Sequence, residues 1–153
     1  MFPEPVSMSG MISTTLQQFA ERPEATRLHF EPDENMPPVM ADPRGLASVL
    51  FHLIDNAMKY ASTGEILVTS AVIGDNIQVS IRDHGPGIPE DVQPFIFEKF
   101  LRVDPADSQM IYGHGLGLYM ANRMLEAMGG SITVQNCDDG GAEFTFQLPI
   151  VKE

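Results

Sequence analysis

Two stretches of this chain read as strands folded back on themselves, and they constrain the fold more than any other feature. "GEILVTSAVIGDNIQVSIRD" (64–83) is rich in β-branched residues around Gly74-Asp75-Asn76. "SITVQN" and "AEFTFQLPI" (131–136 and 142–150) flank a second turn, Asp138-Asp139-Gly140-Gly141. Helical periodicity fills the space before and between them. Asp42-Pro43 supplies an N-cap and a first-turn proline. Leu46, Leu50, Leu53, Ala57 and Ala61 then mark an apolar face running to about residue 61. "LGLYMANRMLEAMGG" (116–130) reads as another helix, closed by Gly129-Gly130. An N-terminal helix over 6–20 carries Val6, Met8, Met11, Ile12, Leu16 and Phe19, and "ERPEA" ends it. "TRLHFE" (26–31) reads as a strand, "PDENMPPVM" (32–40) as a proline-rich connection, and "QPFIFEKFL" (93–101) as a short helical piece. Strand pairs separated by helices predict an α+β fold. It is a two-layer sandwich: a mixed, mostly antiparallel sheet of about five strands, with about three helices on one face.

The chain has 153 residues with no internal repeat or composition break, so residues 1–153 are expected to form one domain. No apolar run reaches the ~18 residues a membrane helix needs. "MFPEPVSMSG" has neither the charged nor the long apolar region of a secretory signal. Cys137 is the sole cysteine, which excludes an intrachain disulfide and suits a reducing cytosol. The formal charge of −12 argues against non-specific binding of nucleic acid or anionic membrane. An anionic ligand would therefore need basic groups or peptide dipoles placed locally.

Four short segments carry polar chemistry. In "FHLIDNAMKYA" (51–61), His52, Asn56 and Lys59 share one helix face, with Asp55 four residues before Lys59. A solvated face with an Asp55–Lys59 pair worth ~0.3 kcal/mol explains part of this. Asn is disfavoured inside a helix, however, and its amide oxygen suits a hard cation. "DHGPGIP" (83–89) puts a carboxylate at a strand end before two spaced glycines; it is either an ordinary turn or a backbone built for close approach to a flat ligand. "FIFEKFLRVD" (95–104) combines phenylalanines, which can simply be core, with Arg102 at the head of a loop. "GHGLGL" (113–118) leads straight into a helix, where free N–H groups and the positive dipole end receive anions; a flexible loop with an N-cap is the plainer alternative.

Taken together and in this order, the segments resemble the catalytic, ATP-binding domain of bacterial sensor histidine kinases. That group belongs with gyrase, the mismatch-repair ATPase and the large heat-shock chaperone. The resemblance covers about residues 38–149. The four segments look like the N box, the first glycine box, the F box and the second glycine box, and "GGAEFTFQLP" (140–149) looks like the closing strand. The resemblance implies a Bergerat-type ATP-binding fold with ATP and Mg2+ as ligands. On that basis Asn56 coordinates the metal, Lys59 contacts phosphate and Tyr60 lies against the nucleotide. Asp83 accepts from the adenine amino group, while Gly85, Gly87 and Ile88 pass the backbone along the base. Arg102 reaches the terminal phosphate, residues 103–116 form a lid, and Gly113, His114, Gly115, Leu116, Gly117 and Leu118 surround the phosphates.

Two departures stand out. His52 occupies the position where hydrolysing relatives carry a water-activating Glu, which favours phosphoryl transfer over hydrolysis. Ala142 stands where Thr is common, so a hydroxyl near the adenine is missing and affinity is expected to be modestly lower. None of His29, His52, His84 and His114 sits in a phosphoacceptor context. The implied partner is therefore a separate dimerisation and phosphoacceptor domain, with a response regulator acting indirectly. Without a dimerisation helix, the chain is expected to be a cytoplasmic monomer, fragment of a longer kinase; a membrane anchor in that parent is left open. The alternatives are a stand-alone serine kinase of the anti-sigma-factor type, a nucleotide-holding module without transfer and, less favoured because of His52, a gyrase-like ATPase.

Overall fold

The structure, a computed structural model, describes residues 2–33, 35–61, 63–98 and 117–151. Its main sheet has five strands in the order β2-β4-β5-β7-β6, where β2 is Leu28–Phe30, β4 is Ile66–Ile73, β5 is Asn76–Arg82, β6 is Ser131–Asn136 and β7 is Ala142–Pro149. Only β2 and β4 run parallel; the other neighbours are antiparallel. Both expected hairpins form, with Ile73 opposite Asn76 in one and Asn136 opposite Ala142 in the other. Alternation decides which face is buried. Ile77, Val79 and Ile81 of β5 and Ala142, Phe144, Phe146 and Leu148 of β7 all point into the core.

Three helices cover that face: α1 (Met8–Gln17), α2 (Pro43–Tyr60) and α3 (Gly117–Ala127). The α2 stripe of Leu46, Val49, Leu50, Leu53 and Ala57 is buried, as its spacing requires, and Leu118, Ala121 and Leu125 do the same for α3. Asp42 occupies the N-cap of α2, but its side chain makes no capping hydrogen bond; its carbonyl accepts from Leu46 N–H at 2.9 Å. At the end of α3, Gly130 N–H donates to the Leu125 carbonyl at 2.7 Å, the expected glycine stop.

The N-terminus differs from the helical reading. Val6 lies in a strand, β1 (Glu4–Val6), which pairs antiparallel with β3 (Val39–Ala41). The prolines at 3 and 5 favour extended backbone, and Ser7 caps the helix by accepting from Gly10 N–H at 3.1 Å. The supposed connection over 32–40 thus ends in a strand. Of the piece expected at 93–101, the described part holds a 3-10 turn at Gln93–Phe95, and residues 99–101 lie outside the described residues. No described helix is long and apolar enough to cross a membrane.

Candidate functional site

The C-terminal end of α2 meets the segment that follows β5. Asn56 is only 9% exposed, and no described residue hydrogen-bonds its side chain. Asn is a poor mid-helix residue and its amide oxygen suits a hard cation, so a ligand accounts for its place better than helix stability does. One turn later Lys59 is 61% exposed and pairs with Asp55 at 2.9 Å. Asp55 also accepts from Arg22 at 3.2 Å, and the Arg22 guanidinium lies 4.6 Å above the Phe19 ring. The Asp55–Lys59 pair was legible in the sequence; Arg22, brought in from the end of the α1 region, was not. Exposed pairs of this kind are worth ~0–1 kcal/mol, so Lys59 is tethered loosely. Burial pushes the Tyr60 phenol above its ordinary pKa, and the Asp55 carboxylate adds to the shift.

The segment after β5 packs directly on the end of α2. A Cβ at Gly85 would stand 2.9 Å from the Tyr60 carbonyl oxygen and 3.1 Å from Ala61 Cα. Glycine is required there because the backbone already fills the space. Arg27 secures the same corner by donating to the carbonyls of Ala61 and Gly64 at the C-terminal end of α2, where a cation also complements the helix dipole. The His84 ring shares a hydrogen bond with the Glu65 carbonyl at 2.8 Å, tying the turn to β4.

Asp83 is 6% exposed. Its Oδ1 accepts from Gly85 N–H at 2.9 Å and Ala142 N–H at 3.1 Å. Its own N–H donates to the Ala142 carbonyl at 3.0 Å. One carboxylate oxygen is thus fixed by two peptide donors, while Oδ2 has no partner among the described residues. Gly141 makes this approach possible: a Cβ there would lie 2.0 Å from the Asp83 carbonyl oxygen, and its φ is +89°. Ala142 is buried to its methyl, so its contribution to Asp83 comes from its backbone.

On the far side of the turn, Asn136 Nδ2 donates to the Ile88 carbonyl and its Oδ1 accepts from Ile88 N–H, both at 2.8 Å. Gly87 has a φ of +79°, and a Cβ on it would reach within 2.8 Å of Asn136 Oδ1. At the helix junction, the Cβ position of Gly117 would be 3.4 Å from His52 Nδ1, which puts the start of α3 against the α2 stripe.

The structure therefore sets the turn Asp83–Ile88 against the end of α2 at Tyr60 and Ala61, and Gly117 against His52, on the same helix that carries Asn56 and Lys59. Arg102, Gly113, His114, Gly115 and Leu116, with the lid assigned to 103–116, lie outside the described residues. Sequence reading gave no role to Arg22, Arg27, Asn136 or Gly141. Gly141 lay within a quoted motif. An Asn at a strand end reads only as turn chemistry, so Asn136 carried no signal of its own.

Strands and helices in this order, with Asp83 and Gly85 set against the end of α2, agree with the fold that the sequence resemblance implied. The sequence profile of the family described as "Histidine kinase-, DNA gyrase B-, and HSP90-like ATPase" matches residues 41–152, and this chain belongs to that family. Among curated proteins it is 32% identical over 149 residues to the adaptive-response sensory kinase SasA of Microcystis aeruginosa, covering 95% of this chain and 38% of that protein. It is 42% identical over 108 residues to the signal transduction histidine-protein kinase AfsQ2 of Streptomyces coelicolor, covering 71% of this chain and 20% of that one. The chain thus spans well under half the length of these relatives. The solved catalytic domain of the histidine kinase ThkA superposes with a TM-score of 0.83 at 28% identity, covering 98% of this chain and 97% of that domain. Full-length ShkA, solved in complex with AMPPNP, also gives 0.83 at 28% identity, covering 99% of this chain and 32% of ShkA. The fold is that of histidine kinase catalytic domains.

Proposed function

We propose that the chain, as a single unit over 1–153, binds ATP with Mg2+ and supplies the γ-phosphate to a histidine on a separate dimerisation and phosphoacceptor domain. The observation that carries this reading is Asp83: its Oδ1 is locked by two backbone N–H groups, which leaves Oδ2 to accept from an exocyclic amino group. A carboxylate held this way distinguishes adenine, which offers a donor at that edge, from guanine, which offers an acceptor. Gly85 and Gly87 let the chain pass close to the base, and Tyr60 supplies a neighbouring aromatic wall.

The amide of Asn56 fits a hard cation, whose preferred donors are oxygens. Mg2+ bound there would neutralise charge on the phosphates. Lys59 is free to exchange Asp55 for a phosphate oxygen, since the ion pair it leaves is weak. Arg102 and the segment 113–118 complete the phosphate contacts in this reading. Catalysis by such a site is placement and charge neutralisation, with the receiving histidine brought by the partner. A water-activating carboxylate is not supplied by His52, which favours transfer over hydrolysis. The histidine kinase relatives support this reading over a serine kinase, and a domain that draws on ATP fits the cytoplasm. Response-regulator phosphorylation follows only indirectly, through the phosphoacceptor domain.

The test is a transfer assay. The chain is incubated with Mg2+, ATP labelled in its γ-phosphate, and a separately prepared dimerisation domain. Acid-labile, alkali-stable label on that domain is the expected result. Acid-stable label on a protein serine would support the serine kinase alternative. ATP binding without any transfer would reduce the chain to a nucleotide-holding module.

A further inference from the structure

The segment Asp83–Ile88 is held at both ends by the same pair of strands. Asp83 is held by Ala142 at the start of β7, through the N–H to Oδ1 contact at 3.1 Å and the reciprocal backbone bond at 3.0 Å. Ile88 is held by Asn136 at the end of β6, and Asn136 and Ala142 are direct register partners. Between these two anchors run Gly85, whose N–H donates to Asp83 Oδ1 at 2.9 Å, and Gly87.

The grip on Ile88 is unusual in kind. One planar amide matches both the donor and the acceptor of a single peptide residue, each at 2.8 Å. Gln93 Nε2 donates to the same Ile88 carbonyl at 3.0 Å, and the Ile88 side chain is 1% exposed. Ile88 is therefore fixed at its N–H, its carbonyl and its side chain. Asn136 Oδ1 also stands where a Cβ on Gly87 would fall, so the amide is both clamp and floor for the turn.

We propose that Asn136 is a positioning residue for the purine: its amide sets the height of the Gly85–Gly87 backbone and so the depth at which a base meets Asp83. This rests on the ATP reading above. Asn136 is itself an exposed residue at a strand end, so its bonds contribute to placement of the turn more than to global stability.

The test uses Asn136→Ala and Asn136→Leu in the full chain. Leucine keeps the size of asparagine but can neither donate nor accept. The first readout is hydrogen exchange at the Ile88 amide without nucleotide. The second is binding of a non-hydrolysable ATP analogue and of the matching GTP analogue. The third is KM and kcat for transfer, with thermal unfolding as a control. Both variants are expected to speed Ile88 exchange and to raise Kd and KM for ATP by about tenfold, narrowing the ATP-over-GTP preference. The kcat at saturating ATP should stay within about twofold. If Asn136→Leu protects Ile88 and binds ATP as the unmodified chain does, the amide only fills space and the proposal is overturned. If the unmodified chain binds no ATP analogue, the purine assignment falls with the reading beneath it. Should alanine fail to fold, leucine carries the same comparison.

Discussion

Replacing Asp83 by Asn changes one atom's chemistry at the centre of the site. In the parent, Oδ1 accepts from Gly85 N–H at 2.9 Å and Ala142 N–H at 3.1 Å. The amide oxygen of Asn can keep both bonds, which directs its NH2 to the place of Oδ2. A donor then faces the donor on adenine. The lost charge-assisted bond is worth about 1.5–3 kcal/mol, so ATP affinity should fall by roughly 10- to 150-fold. The same NH2 can donate to the guanine carbonyl, so GTP should lose less than ATP or gain. The two retained backbone bonds weaken when their acceptor loses its charge. That should cost about 1 kcal/mol of stability, or about 2–4 °C in Tm. Competition binding with ATP and GTP analogues, with a melting curve for each protein, measures all three quantities. A folded variant with unchanged affinity would refute the role of Oδ2. An equal loss for both nucleotides alongside a large drop in Tm would make Asp83 a structural latch only.

Three further perturbations separate folding from binding. Gly141→Ala forces a Cβ to within 2.0 Å of the Asp83 carbonyl at a φ of +89°; the strained backbone alone costs about 1–2 kcal/mol, and parting β5 from β7 adds to it, so chemical denaturation should show a loss of about 3 kcal/mol or more. A smaller loss would mean that the strands can part freely. Asn56→Ala should abolish the strengthening of ATP binding by Mg2+ while leaving the unliganded Tm no lower, since alanine is the better helix former and no described hydrogen bond of the Asn56 side chain is lost. A normal Mg2+ titration would contradict the metal role. Tyr60 bears on alkaline stability. Its folded pKa is raised above the model-peptide value of 10.0, so the protonated phenol contributes stability that is present below pH 10 and is lost as pH rises through the folded value. Tyr60→Phe should flatten that alkaline loss in unfolding measurements; an unchanged alkaline slope would contradict the assignment.

The α2 stripe, the two hairpins and the glycine stop of α3 were legible because local periodicity and turn chemistry dictate them. The parallel β2–β4 pair was not, since nothing local distinguishes a parallel partner across an intervening helix. The small β1–β3 sheet escaped notice because three-residue strands beside prolines leave no measurable alternation. The site divides in the same way. Asn56, Asp83 and the glycines stand out as residue types in the wrong places for plain structure. Arg22, Arg27 and Asn136 act across 33, 34 and 48 residues of sequence, and only the folded chain shows whom they meet.

A site that selects adenine and uses magnesium shows both properties in one binding experiment. Calorimetric titration of the chain with a non-hydrolysable ATP analogue, with and without Mg2+, and with a GTP analogue as control, tests it most directly. The expected result is saturable binding of the ATP analogue, tightened by Mg2+, with GTP markedly weaker. No heat of binding from either nucleotide, or equal affinity for both, would contradict it.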